Sequence, residues 1–188
     1  MAMEHKTISR SSGISHSKDN RTISGFIPLF RQLKGNDGSY ERFDRRAFDG
    51  AKMDDCVLAL NHNLDNAVAG VRNKTLEFQF NDDGLVWRAD ILDTSKGDDL
   101  LKEVRTGLAS QCSLRFWHEP DAVEIERTSE GNSCTVFKSV YSLMDLAPTP
   151  QGHWGAQTLS RTNTPAALAP KRGGILALNL AVLKLKKL

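Results

Sequence analysis

Short segments in which apolar and polar residues alternate dominate the first half of the chain. In LEFQF at 76–80 every second residue is apolar, which is the period of a half-buried strand. NDDG at 81–84 is typical of a hairpin turn, and LVWRADIL at 85–92 predicts the returning strand. Two earlier apolar segments, ISGFIPLF at 23–30 and CVLALNHN at 56–63, also predict strands.

The period of the pattern changes after residue 92. Apolar residues then recur at the spacing of one helical face: Leu100, Leu101, Val104 and Leu108. Thr94 or Ser95 is suited to cap the N-terminus of this helix, and Gly107 is suited to end it. The segment therefore predicts one helix between two groups of strands.

The second half of the chain predicts further strands. These are CSLRFW at 112–117, AVEIER at 122–127 and SCTVFKSVYSLMDL at 133–146. From residue 147 onward Pro, Gly, Thr and Asn predict loop and linker. Six or seven strands around one main helix indicate an α+β fold, as a small, mostly antiparallel β-barrel or sandwich with a few flanking helices.

The two ends of the chain differ from its centre. Residues 1–20 are polar and Ser-rich and predict a flexible segment, residues 21–161 form the predicted domain, and residues 162–188 are predicted as a linker with an amphipathic tail. The tail fits a short helix that docks on a partner, a frayed end, or a helix that lies on a membrane surface. Its apolar run at 175–183 is too short to cross a bilayer as a helix.

Composition narrows the functional classes. The 188 residues carry a net charge of +2 with both signs well mixed, which does not favour nucleic-acid binding. Three widely spaced cysteines do not indicate a disulfide framework, and no CxxC or His/Cys cluster indicates zinc. The N-terminus lacks the apolar core of a secretory signal.

Two candidate nucleophiles, Cys112 and Ser113, are adjacent in LASQCSLRF. In a strand, alternation places Cys112 on the apolar face with Leu114, and Ser113 on the opposite face with Arg115. A buried cysteine usually behaves as a small hydrophobic residue. The pattern therefore favours Ser113 over Cys112 as a reactive group.

His62 ends the apolar segment LALNHN, where a strand end can hold an imidazole rigidly. A serine and a histidine are the minimal nucleophile and base, and Arg115 or nearby backbone N–H groups could stabilise an oxyanion. Asp65 and Asp145 are both candidates to orient the histidine. The four other histidines are predicted to be structural or solvent-exposed: His5, His16, His118 and His153.

The order of segments resembles the prohead (capsid maturation) proteases of tailed bacteriophages, which are distantly related to the herpesvirus assembly proteases. Three segments resemble successive family motifs: RTISGFIPLF, ERFDRRAFDGA and LALNHNLDNAVAG. NDDGLVWRADILDTSKGDDLLKEVRTGLASQCSLRF resembles the motif that follows them. Through this resemblance His62 falls on the catalytic histidine of the family and Ser113 on its nucleophilic serine.

Two departures from the family pattern concern the site. Arg115 stands where the family usually has glycine. The late motif "L.EvSlv..PA" is weakly matched by VYSLMDLAPTP, and its glutamate would fall on Val140 or Ser142. Asp145 is the nearest acid, but in a regular strand it lies on the face opposite Ser142. The third catalytic member is therefore left open between Asp145, two histidines (His118 and His153) and none.

The resemblance implies a herpesvirus-protease-like fold and a serine endopeptidase without a metal or organic cofactor. It also implies scaffold and major capsid proteins as substrates, self-cleavage, and a location inside the immature capsid in the bacterial host cytoplasm. A homo-oligomer is compatible with this hypothesis, which involves neither direct nucleic-acid contact nor a membrane. The alternatives are an inactive capsid-assembly or scaffolding protein of the same fold and a ligand-binding β-barrel, which a deep closed apolar pocket would indicate.

Overall fold

The computed structural model describes residues 21–162, which form twelve strands and one α-helix, α1 (Ser95–Arg105). The strands are β1 (Thr22–Ile27), β2 (Leu33–Lys34), β3 (Tyr40–Phe43), β4 (Val57–Ala59), β5 (Ala67–Gly70), β6 (Leu76–Phe80), β7 (Leu85–Asp90), β8 (Gln111–Trp117), β9 (Val123–Arg127), β10 (Ser133–Phe137), β11 (Ser142–Thr149) and β12 (Leu159–Thr162). The predictions for the N-terminal segment 1–20, with His5 and His16, and for the tail after residue 162 lie outside the described residues.

The strands pair in three four-stranded sheets, in the orders β12-β1-β7-β6, β2-β3-β10-β9 and β5-β4-β11-β8. Only β3 with β10 and β4 with β11 pair in parallel, so the mostly antiparallel α+β prediction agrees with the structure. The predicted closed barrel is not confirmed, because between residues 21 and 162 the hydrogen-bonded ladders are three separate sheets. In each sheet of the described chain the first and last strands of the order are not paired with one another, so no ladder closes on itself.

One hydrophobic core joins the sheets to the helix. Its largest fully buried side chains come from all of these elements and include Trp87, Phe43, Leu58, Leu100 and Leu143. The ring of Phe43 lies 5.0 Å from the ring of Phe116 on β8 and 4.9 Å from that of Phe137 on β10. These contacts fix the sheet that contains β8 against its neighbour.

The predicted helix is confirmed, with one correction at its end. Thr94 is its N-cap, and the Thr94 hydroxyl accepts a hydrogen bond of 3.1 Å from the Gly97 N–H. Gly107 adopts φ +80° and ends the helical turn. Leu108 follows that glycine and is 58% exposed, whereas the other three predicted positions are buried: Leu100, Leu101 and Val104. Within residues 21–162 no helix has the length and apolar character needed to cross a membrane.

Several strand predictions need correction. SCTVFKSVYSLMDL forms two strands, β10 and β11, that belong to different sheets. β11 continues through Thr149, where a loop was expected, and β12 follows at Leu159–Thr162. Pro148 is tolerated in β11 for two reasons. Its partner on β8, Cys112, donates its N–H to the Thr158 hydroxyl instead of to β11, and β4 pairs only as far as Leu146 on the other side.

Candidate active site

Three adjacent strands of the third sheet carry the candidate residues. β11 holds Asp145 and lies between β4, which leads to His62, and β8, which holds Ser113 and Arg115. Asp145 pairs with Arg115, and Ala147 pairs with Ser113. Residues paired in this way share a face of the sheet, so Asp145 and Ser113 are diagonal neighbours, with a typical separation of about 7–8 Å.

A β-bulge determines the direction of Asp145. Leu143 pairs with Phe116 and Asp145 with Arg115, the next residue of β8, so Met144 is an extra residue without a partner. The extra residue reverses the alternation, and Asp145 therefore lies on the same face as Ser142. The expectation that Asp145 faces the other way assumed a regular strand and is wrong.

His62 lies in a tight turn and not at the end of a long strand. β4 ends at Ala59, and Leu60–His62 form a single 3-10 turn. Asn61 and His62 have φ values of 53° and 58°, in the left-handed region, which costs about 1–2 kcal/mol for each non-glycine residue. The turn brings the imidazole to β11, where Nδ1 makes a hydrogen bond with Asp145 Oδ1.

The contact between His62 and Asp145 has the chemistry of a catalytic acid–base pair. Asp145 is fully buried, and its carboxylate accepts a hydrogen bond from the Nδ1–H group when the imidazole is neutral. That tautomer leaves Nε2 as an acceptor on the other side of the ring. Between residues 21 and 162 no hydrogen bond joins Nε2 to the half-buried Ser113. Such bonds are often long before substrate binds.

Arg115 contacts both members of this pair. Its Nη2 donates a hydrogen bond of 2.9 Å to the His62 carbonyl oxygen. Its Nε lies 3.4 Å from Asp145 Oδ2, which is within ion-pair distance. The guanidinium group is thus engaged beside the carboxylate, so the hypothesis that it stabilises an oxyanion gains no support from its contacts.

The alternative nucleophile, Cys112, is part of the core. Its side chain is fully buried, as alternation predicted, and burial raises the pKa of its thiol far above the usual value. The Cys56 thiol behaves similarly, because burial and then the negative charge of Asp145 raise its pKa. Since the thiolate is the reactive form, Cys112 is inert at neutral pH.

If the chain is a serine protease that uses Ser113, a Cys112→Ala variant is therefore expected to keep most of the wild-type activity. In the native wild-type protein, iodoacetamide at pH 8 should modify Cys112 much more slowly than it does after unfolding. Peptide mass spectrometry of the alkylated protein measures this directly. Loss of activity in a Cys112→Ala variant that is folded, as judged by circular dichroism, would contradict the assignment of Cys112 to the core.

Two histidines that were alternatives for the third member lie elsewhere. His118 Nδ1 is 2.9 Å from the carbonyl oxygen of Glu119. His153 Nε2 is 3.3 Å from Glu41 Oε2. Neither contact involves His62, so both histidines fit the predicted structural role.

Of the candidate acids, Asp145 contacts His62, and Asp65 is exposed to solvent. The sequence contained one signal of the bulge, since two leucines that prove to be buried, Leu143 and Leu146, are spaced at i and i+3. In a regular strand two such residues would lie on opposite faces. Among residues 21–162 no group of three or more His, Cys, Asp or Glu side chains is placed to hold a metal ion.

A cleft of about 500 Å³ lies at the end of β8. Its lining residues are Trp117, His118, Glu119, Pro120 and Tyr141. A second cleft, of about 370 Å³, lies beside Cys56 and Gly70. A deep closed apolar pocket would have indicated a ligand-binding barrel, and these two clefts, in the described part of the chain, are both open to solvent.

Comparison with known proteins agrees with the resemblance seen in the sequence. No curated protein and no solved structure matches the chain significantly. The family model described as caudovirus prohead serine protease matches residues 7–161, which is most of the chain. The chain therefore belongs to the caudovirus prohead serine protease family.

Proposed function

We propose that this protein is an active serine endopeptidase that cleaves segments of the scaffold and major capsid proteins inside the immature capsid. Ser113 is its nucleophile, His62 its general base and Asp145 the acid that orients His62. The observation that carries the proposal is the hydrogen bond between His62 Nδ1 and the buried Asp145, on the sheet face that also presents Ser113. Membership of the prohead protease family supports the choice of substrates.

The proposed mechanism uses the Ser113 hydroxyl as nucleophile and His62 Nε2 as the atom that accepts and returns the proton. Ser113 Oγ attacks the scissile carbonyl carbon while His62 Nε2 takes the hydroxyl proton. The imidazolium then gives that proton to the leaving amine, and an acyl-enzyme forms. A water molecule, activated by the same nitrogen, hydrolyses the ester and regenerates Ser113.

Asp145 supports both protonation states of His62. Its Oδ1 accepts a hydrogen bond from the Nδ1–H group, so the neutral imidazole keeps Nε2 free to accept from Ser113. When the imidazolium forms, the same carboxylate stabilises the new charge at short range. Burial of Asp145 strengthens this interaction, because little water screens it.

The inactive assembly protein is the second candidate. Arg115 in place of the family glycine, and the missing glutamate at its usual position, favour it. The hydrogen bond to Asp145 weakens this argument, since His62 has an acid partner after all. Self-cleavage is part of the active hypothesis, with the tail after residue 162 as its target.

The experiment is co-expression of the protein with the scaffold and major capsid proteins of its own phage. We expect shortened substrates on gels, and a fluorophosphonate probe that labels the purified protease at Ser113, located by peptide mass spectrometry. Intact-mass measurement of the protease reports self-cleavage in the same samples. Unprocessed substrates together with an unlabelled Ser113 would favour the inactive assembly protein.

A further inference from the structure

Arg115 contacts both members of the His62–Asp145 pair, in addition to the hydrogen bond that joins the two residues directly. Nη2 holds the main chain of His62 through its carbonyl oxygen, at 2.9 Å. Nε approaches the other side of the pair, at 3.4 Å from Asp145 Oδ2. One rigid, planar guanidinium group therefore links the main chain of the histidine turn to the carboxylate on β11, beside the hydrogen bond between the two side chains.

The charge of Asp145 requires a partner besides His62. Its side chain is fully buried, and Oδ2 has no hydrogen-bond partner among the described residues. A general base must be neutral before the reaction, so His62 does not balance the carboxylate charge in the resting enzyme. Between residues 21 and 162 Arg115 is the one permanently charged cation within ion-pair distance of Asp145.

The backbone of His62 also requires support. Asn61 and His62 occupy the left-handed region in succession, and such conformations persist where surrounding contacts determine them. Within the turn, the Asn63 N–H donates to the Leu60 carbonyl oxygen at 3.1 Å. The Arg115 hydrogen bond is the contact that ties this turn to β8.

We propose that Arg115 is a positioning residue. It holds the His62 turn in its left-handed conformation, and it balances the charge of Asp145 while His62 is neutral. It acts through these two residues and does not contact the peptide substrate. The inference rests on the proposed function, in which His62 and Asp145 form the acid–base pair. It gives Arg115 a role that a glycine at the same position could not supply.

The test compares Arg115→Ala and Arg115→Lys with wild type, with Arg88→Ala as a matched control. Arg88 is a partly buried arginine on β7 that pairs with Asp90 at 3.2 Å, in a different sheet. Arg115 is 42% exposed, so its truncation leaves no sealed cavity. All variants are measured with one fluorogenic peptide derived from a mapped cleavage site.

For Arg115→Ala we expect kcat to fall by roughly 10–100-fold with little change in KM, since a small misplacement of catalytic groups has an effect of this size. Arg115→Lys should recover part of the loss, because an ammonium group supplies charge but not two contacts in a fixed geometry. Added guanidinium at millimolar concentration should partly restore Arg115→Ala and leave Arg88→Ala unchanged. A substrate-contact role would raise KM instead.

Hydrogen–deuterium exchange provides a readout that does not depend on activity. Peptides that cover residues 60–66 should exchange faster in Arg115→Ala than in wild type, and should be unchanged in Arg88→Ala. If Ser113→Ala is inactive while Arg115→Ala matches wild type in kcat and exchange, the role of Arg115 is wrong and the proposed function stands. If the wild-type protein does not cleave the peptide, and Arg115→Ala exchanges at the same rate as wild type, both proposals fail.

Discussion

Replacing Ser113 with alanine is expected to lower kcat/KM by roughly 10⁴–10⁶-fold, because a serine protease without its nucleophile keeps only binding and electrostatic contributions. The effect should lie in kcat, since Ser113 contributes little to the affinity for the ground state. Substrate processing in co-expression and cleavage of a fluorogenic peptide both measure the loss. Fluorophosphonate labelling should disappear in the same variant.

Ser142→Ala is the matched control for this variant. Ser142 is half-buried on the neighbouring strand β11 and lies on the same face of the sheet as Ser113. The control should keep activity close to that of wild type. If Ser113→Ala still processes its substrates, another nucleophile does the chemistry and the assignment of Ser113 is wrong.

Asp145→Asn is expected to lower kcat by roughly 10³–10⁴-fold, the size of effect seen when a triad aspartate becomes an amide. The amide has nearly the same shape, but its NH₂ group favours the imidazole tautomer in which Nδ1 is the acceptor. Nε2 then carries the proton and cannot take one from Ser113. Steady-state kinetics with the same fluorogenic peptide measure the change.

The folded state should tolerate Asp145→Asn. The substitution removes a desolvated charge from a fully buried position, and Arg115 reaches enough solvent to remain hydrated. We therefore expect a Tm equal to or above that of wild type. Asp65→Asn is the control, because Asp65 is close to His62 in the sequence but is exposed to solvent. If Asp145→Asn keeps the wild-type kcat, or if Asp65→Asn loses most of it, Asp145 is not the acid that orients His62.

Local periodicity was sufficient to predict the elements that depend on neighbouring residues. The hairpin of β6 and β7 and the helix with its Thr94 cap follow directly from it. Alternation also predicted the buried side chain of Cys112 and the opposite orientation of Ser113. Each of these features is decided within one short, continuous segment of the chain.

The features that sequence patterns did not predict depend on distant parts of the chain. β4 continues into a left-handed turn at His62, which Arg115 supports from 53 residues away. The three sheets are held together by contacts across the shared core, and no local pattern specifies those contacts. For the same reason, the partner of His62 could not be chosen among the candidate acids from spacing alone.

The extra residue at Met144 makes the length of β11 a functional constraint, separate from the identity of its side chains. The in–out alternation of side chains before Met144 is reversed after it. Removal of this one residue would therefore turn Asp145 toward the core or displace Leu146 from it. Insertions and deletions in this strand should therefore be selected against as strongly as a substitution of the acid itself.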